Sequence, residues 1–129
     1  MHADERREDL DAITEKIIGA AFRVANGLGC GFLEKVYENA LMHEVKKAEL
    51  KVIQQQPAPV RYDGVLVGDY VADLLVEDAV LVELKAVKSL DDVHMAQCIN
   101  YLKATGLRIC LLINFGTPKL EFKRIVNRF

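Results

Sequence analysis

The chain has 129 residues, 51% hydrophobic and 28% charged, which suffices for one domain with a sizeable core and not for two. Lys and Arg number 17 against 19 Asp and Glu, a formal charge of −2, so a whole-molecule positive field is excluded, and disorder is excluded by the apolar content. No apolar run reaches the ~20 residues of a bilayer span. The charged start, Met-His-Ala-Asp-Glu-Arg-Arg, lacks a secretory leader's apolar stretch, so a single cytoplasmic domain over residues 1–129 is expected, with no membrane association.

In chain order, Leu10, Ile13, Ile17, Ala20, Ala21 and Val24 recur at helical spacing, with Asp4 as the expected N-cap and the glycines from Gly27 to Gly31 as the stop. A second helix is expected from Phe32 to about Ala48, with Leu33, Val36, Tyr37, Ala40, Leu41, Val45 and Ala48 inward. The period then changes. Val52–Tyr62 reads as an extended segment placed at a sheet edge by Pro57 and Pro59. Asp63-Gly64 signals a hairpin turn, and Val65–Val76 and Val80–Val87 are β-branched runs joined by a second hairpin at Glu77-Asp78-Ala79. Ser89-x-x-Asp92 has capping-box spacing and opens a third helix that Gly106 closes. Leu107–Phe115 reads as a strand buried on both faces, and Leu120–Val126 as a last strand with Leu120, Phe122, Arg124 and Val126 on one side. The fold class is α/β, or α+β by a stricter definition: a mixed β-sheet flanked by helices, in the order α-α-β-β-β-α-β-β.

Cys30, Cys98 and Cys110 are odd in number, contain no C-x-x-C pair, and show no zinc-ligand spacing with His2, His43 or His94. They are read as reduced thiols among apolar residues.

Three charged residues interrupt apolar strands. Asp73 lies within Val71–Val76, and Glu83 and Lys85 lie two apart in Val80–Val87, hence on one face. Unpaired buried charge costs several kcal/mol, so these groups must be paired, wet or metal-bound. An ion pair between Glu83 and Lys85 on a solvated sheet surface is the simplest alternative. A two-residue loop at Glu77-Asp78 would pair Asp73 with Val82 and send Glu83 to the opposite face. A three-residue loop through Ala79, or a bulge near Asp73, would set Asp73 beside Glu83, and this second arrangement is expected. Glu34 falls in the first turn of the second helix with Tyr37 expected on its side, and His94, Gln97 and Tyr101 form a polar stripe beside Met95, Cys98, Ile99 and Leu102.

Asp73, then Glu83-x-Lys85, then Gln97-x-x-x-Tyr101, preceded by a helical glutamate, resembles the PD-(D/E)XK nuclease superfamily, closest to its RecB-type exonuclease branch. Gly31-x-x-Glu34-x-x-Tyr37 ahead of these motifs is similar to the GxxExxY protein family. The likeness runs from the first helix through Leu112-Ile113-Asn114-Phe115-Gly116, with one departure: Ala72 precedes Asp73 where the superfamily's name has proline.

The resemblance implies a restriction-endonuclease-like core and metal-dependent hydrolysis of phosphodiester bonds. Two carboxylates on one face suit a hard cation, Mg²⁺ or Mn²⁺. By resemblance Asp73, Glu83 and the Leu84 carbonyl are direct ligands, and Glu34 completes the shell. Lys85 orients water or stabilises charge, Gln97 and Tyr101 hold Lys85 or the nucleic-acid backbone, and His94 is a neighbour. The expected partner is nucleic acid, DNA before RNA. Lys119, Lys123, Arg124 and Arg128 form one candidate phosphate-binding group and Lys46, Lys47, Lys51 and Arg61 another. A homodimer or a protein partner would supply any specificity that so small a chain lacks. The competing reading is a non-catalytic module that keeps the fold and binds nucleic acid or protein.

Overall fold

In the computed structural model residues 3–127 are described, with side chains from residue 9 onward. Met1, His2, Arg128 and Phe129 lie outside the described residues. Helix α1 (Ala3–Leu28) buries Leu10, Ile17, Ala20, Ala21 and Val24 along one stripe, as the spacing requires. It has already begun at Ala3, so Asp4 is inside the helix rather than at its cap. Gly29, at φ 69°, ends it by donating its N–H to the Ala25 carbonyl. Helix α2 (Glu34–Lys47) begins two residues later than its periodicity suggests, and Tyr37, Leu41 and Val45 face α1 and the sheet. Leu33 and Val36, read as inward, are instead 81% and 39% exposed, because the buried stripe is narrower than the run of apolar residues. Cys30, in the loop between the helices, is exposed, whereas Cys98 and Cys110 are buried.

Strands β1 (Val52–Tyr62), β2 (Val65–Val76), β3 (Val80–Lys85), β4 (Ile109–Asn114) and β5 (Glu121–Val126) form one sheet in chain order. All neighbours are antiparallel except β3 and β4, which are parallel and joined through helix α3 (Asp92–Thr105). The prolines sit on the edge strand β1 as expected. Asp63 and Gly64 turn the first hairpin with φ 52° and 76°. Helices α1 and α2 cover one sheet face around Leu74, Val82 and Leu111, while α3 covers the other around Leu81, Cys98 and Leu112. First helix and last strand meet through the Asp11–Arg124 ion pair and the edge-on Phe22 and Phe122 rings.

Ser89 does not cap α3. Asp91 does, accepting from the N–H groups of Val93 and His94, while His94 Nδ1 accepts from Asp91 N at 3.2 Å. Where β4 leaves the sheet, the fully buried Asn114 binds both the N–H and the carbonyl of Val87 and also accepts from Gly116 N. No helix among the described residues is long and apolar enough to cross a membrane.

Candidate active site

The β2–β3 connection is the three-residue loop Glu77-Asp78-Ala79, closed by the Val76–Val80 pair. The ladder continues to Leu74 opposite Val82, and one step further brings Asp73 across from Glu83. There side chains replace backbone pairing. Glu83 Oε1 accepts from Asp73 N at 2.9 Å, and Asp73 Oδ2 accepts from Leu84 N at 2.8 Å. The β1 side is also interrupted: Gln54 pairs with Leu74 and Gln56 with Ala72, but Gln55, at φ 59°, makes no pair with Asp73. Beyond the interruption Ala72 packs on the α3 side with Leu75, whereas Leu74 packs on the other face. Strand alternation therefore slips at Asp73. The odd loop and the irregularity expected from the sequence occur together and bring the two acids into contact.

Glu83 is 3% exposed. Burial, reinforced by the Asp73 charge, pushes its carboxyl up to about 9. Burial likewise pushes Asp73 up to about 6; its bond from Leu84 N and the Lys85 charge act against this, and the charges of Glu38 and Glu34 add to it. The half-buried Lys85 lies two residues along the strand, on the α3 side with Glu83 and Leu81. Among the described residues no ion pair joins Lys85 to Glu83, so the simplest alternative is not realised.

On α2, Glu34 stands exposed in the first turn and Tyr37, one turn later, is fully buried. Tyr37 is a loop clamp. Its hydroxyl donates to Gly29 O at 2.6 Å and accepts from Phe32 N, and its ring stacks on Phe115. Gly31, at φ 113°, lets the same loop turn into α2 and present Glu34. The sequence reading missed Glu38, which is 3% exposed and accepts from Lys35 Nζ at 2.9 Å and from the side-chain amides of Gln54 and Gln55. Burial alone would raise this carboxyl, but those bonds, Lys35's foremost, hold it below the usual range. A signal existed: Glu38 stands four residues after Glu34 and three before Leu41, in register with the buried stripe. Glu38 thus ties α2 to the irregular stretch of β1 that faces Asp73.

On α3, Gln97 Nε2 donates to the Tyr101 hydroxyl at 3.1 Å, and that hydroxyl donates to Val71 O at 3.3 Å. Burial, then the Glu83 charge, pushes Tyr101 up to about 12. Gln97 is thus joined to Tyr101 rather than to Lys85, and His94 is engaged in the cap of α3. The basic groups also separate. Lys47 pairs with Glu44 and Lys51 with Asp78, and Arg61 stands at the far end of β1, about 30 Å along the strand from Lys51. Arg124 pairs with Asp11, and Arg128 lies outside the described residues.

A family model described as the PD-(D/E)XK nuclease superfamily matches residues 11–125. The chain belongs to that superfamily. No curated protein and no solved structure gave a match. The mixed five-stranded sheet with three helices agrees with a restriction-endonuclease-like core. Members of the superfamily are generally hydrolytic nucleases that use divalent metals. Ala72, in the place of the proline of the superfamily's name, packs with Leu75 in the α3-side core and touches neither carboxylate through a hydrogen bond.

The donor set suits a hard cation. Glu83 Oε2 and Asp73 Oδ1 have no hydrogen-bond partner among the described residues, yet no side-chain oxygen sealed from solvent lacks one, so both retain access to water or an ion. No three acidic, histidine or cysteine side chains among the described residues converge into a cage. Mg²⁺ needs none, since it commonly keeps several waters and binds through one or two carboxylates.

Proposed function

We propose that the chain is a Mg²⁺- or Mn²⁺-dependent nuclease that hydrolyses phosphodiester bonds of nucleic acid. The observation that carries this reading is the interlocked pair Asp73 and Glu83, two neighbouring acids with one free oxygen each and Lys85 two residues further on. Asp73, Glu83 and the Leu84 carbonyl would hold the ion, with Glu34 completing its shell through water. When bound, the ion supplies a Lewis acid for the phosphoryl oxygen and lowers the pKa of water. Lys85 orients the attacking water and offsets charge that builds on the phosphate. Tyr101, fixed to Val71 O and Gln97, stands on the α3 side of the sheet with Glu83, and Gln97 would swing from Tyr101 to the substrate backbone or Lys85. Cytoplasmic work suits the three free thiols.

The test uses labelled DNA and RNA, single- and double-stranded, with Mg²⁺ or Mn²⁺, for wild type and Lys85→Ala. Cleavage by wild type with a loss of at least ~100-fold in the variant is expected. Binding by both proteins with no cleavage by either would make the chain a binding module. Thermal unfolding gives an independent reading. Mn²⁺ at ~100 times its dissociation constant should add ~2.7 kcal/mol, several degrees in melting temperature, and Asp73→Asn should lose most of that shift.

A further inference from the structure

A cavity of 560 Å³ opens between the β1–β2 hairpin and the C-terminal half of α3. Arg61, Tyr70, Asn100 and Lys103 supply its polar wall and Pro59 and Val60 its apolar one. It adjoins the candidate active site through a pair of rings. Tyr70 meets Tyr101 edge-on at 5.7 Å between centroids, and Tyr101 is the residue that binds Gln97 and feels the Glu83 charge. Only one part of Tyr70 is used by that contact, and the residue stays 48% exposed. The register of β1 against β2 shifts between Val60 and Arg61, and such a bulge re-aims the side chain that follows it. Arg61 is engaged in no ion pair among the described residues. No acid is among the residues that line the cavity.

We propose that this groove holds an unpaired stretch of the nucleic-acid substrate, one base stacked on Tyr70 and a phosphate at Arg61, so that a single strand is led past Tyr101 to the scissile bond. The chemistry selects the occupant. Arg61, in no ion pair among the described residues and in a wall that no acid lines, suits a backbone phosphate, and the aromatic ring beside it suits a base face. A base inside a duplex is already stacked on both sides and cannot use Tyr70, whereas an unpaired base can. The inference rests on the nuclease reading for its role, but its test is a binding measurement that can fail separately.

Fluorescence anisotropy in EDTA would compare labelled oligodeoxythymidylate, labelled oligouridylate and a blunt duplex on wild type, Tyr70→Ala, Tyr70→Phe and Arg61→Ala, each checked for an unchanged melting temperature. Wild type should prefer a single strand to the duplex. Tyr70→Ala should weaken single-strand binding about tenfold while Tyr70→Phe retains it. Arg61→Ala should weaken it and reduce the slope of log affinity against log salt by about 0.7, one phosphate contact. Equal binding of duplex and single strand, no binding of any strand, or wild-type affinity in both Tyr70→Ala and Arg61→Ala overturns the proposal. Wild-type-like cleavage by those two variants with Mn²⁺ would likewise remove the groove while leaving the nuclease reading in place. The expected binding pattern without any cleavage by wild type would keep the groove and remove the nuclease reading.

Discussion

Glu83 reaches into a nearly dry site with the Asp73 carboxyl alongside and no cation closed upon it, so its ionisation costs folding free energy. The unfolded chain releases these protons near 4.5 for Glu83 and 3.8 for Asp73, whereas the folded chain keeps them to about 9 and about 6. Between those limits the folded state binds more protons than the unfolded state, and stability therefore falls as pH rises. Without metal, the pair should therefore lower stability steadily between pH 5 and pH 9. Glu83→Gln keeps an oxygen for the Asp73 N–H but has no charge to desolvate. Denaturation in EDTA at pH 5, 7 and 9 should show the variant gaining on wild type as pH rises. Parallel curves for the two proteins would show that Glu83 ionises in the folded state as easily as in the unfolded one.

At the scale of elements, the strands followed from alternation, turn residues and prolines, because each of those signals acts on its own segment. Helix starts did not. Ser89-x-x-Asp92 and Asp91-x-x-His94 both have cap spacing, and the one that forms is Asp91, beside Leu90, whose N–H donates to Glu121 Oε1 31 residues on. Asp91→Ala should cost ~1 kcal/mol, and Ser89→Ala only a few tenths, in urea denaturation. Equal costs would mean that α3 draws no stability from its observed cap. The meeting of Asp73 with Glu83 was legible from loop parity, but its β1 side was not. The left-handed residue there is Gln55, not a glycine, and nothing local distinguishes it from Gln54 or Gln56. It is held by Glu38, whose place in an otherwise apolar stripe was the visible half of that contact.

Across the whole molecule, the junction that fixes the two layers is the crossing of the β3 exit with the β4 exit. Asn114 stitches Val87 to Gly116, and the strands approach so closely that a Cβ on Gly116 would lie 2.6 Å from Ala86 C and nearer still to the Val87 backbone. Backbone cannot yield as a side-chain tip does, so Gly116→Ala should destabilise by about 3 kcal/mol or more. The same change should depress cleavage, because Lys85 leaves β3 one residue before that junction. A melting temperature equal to wild type would mean that the two exits can separate freely.

Every strand of the sheet lies beside its neighbour in the chain, and only β3 and β4 are separated by a helix. During synthesis each hairpin can therefore close as soon as its second strand leaves the ribosome. Within the sheet, the entropy of long-loop closure is concentrated in a single event, the return of β4 across α3. The acids of the site lie upstream of that event, on β2 and β3, and the growing chain can join them before the rest of the sheet exists.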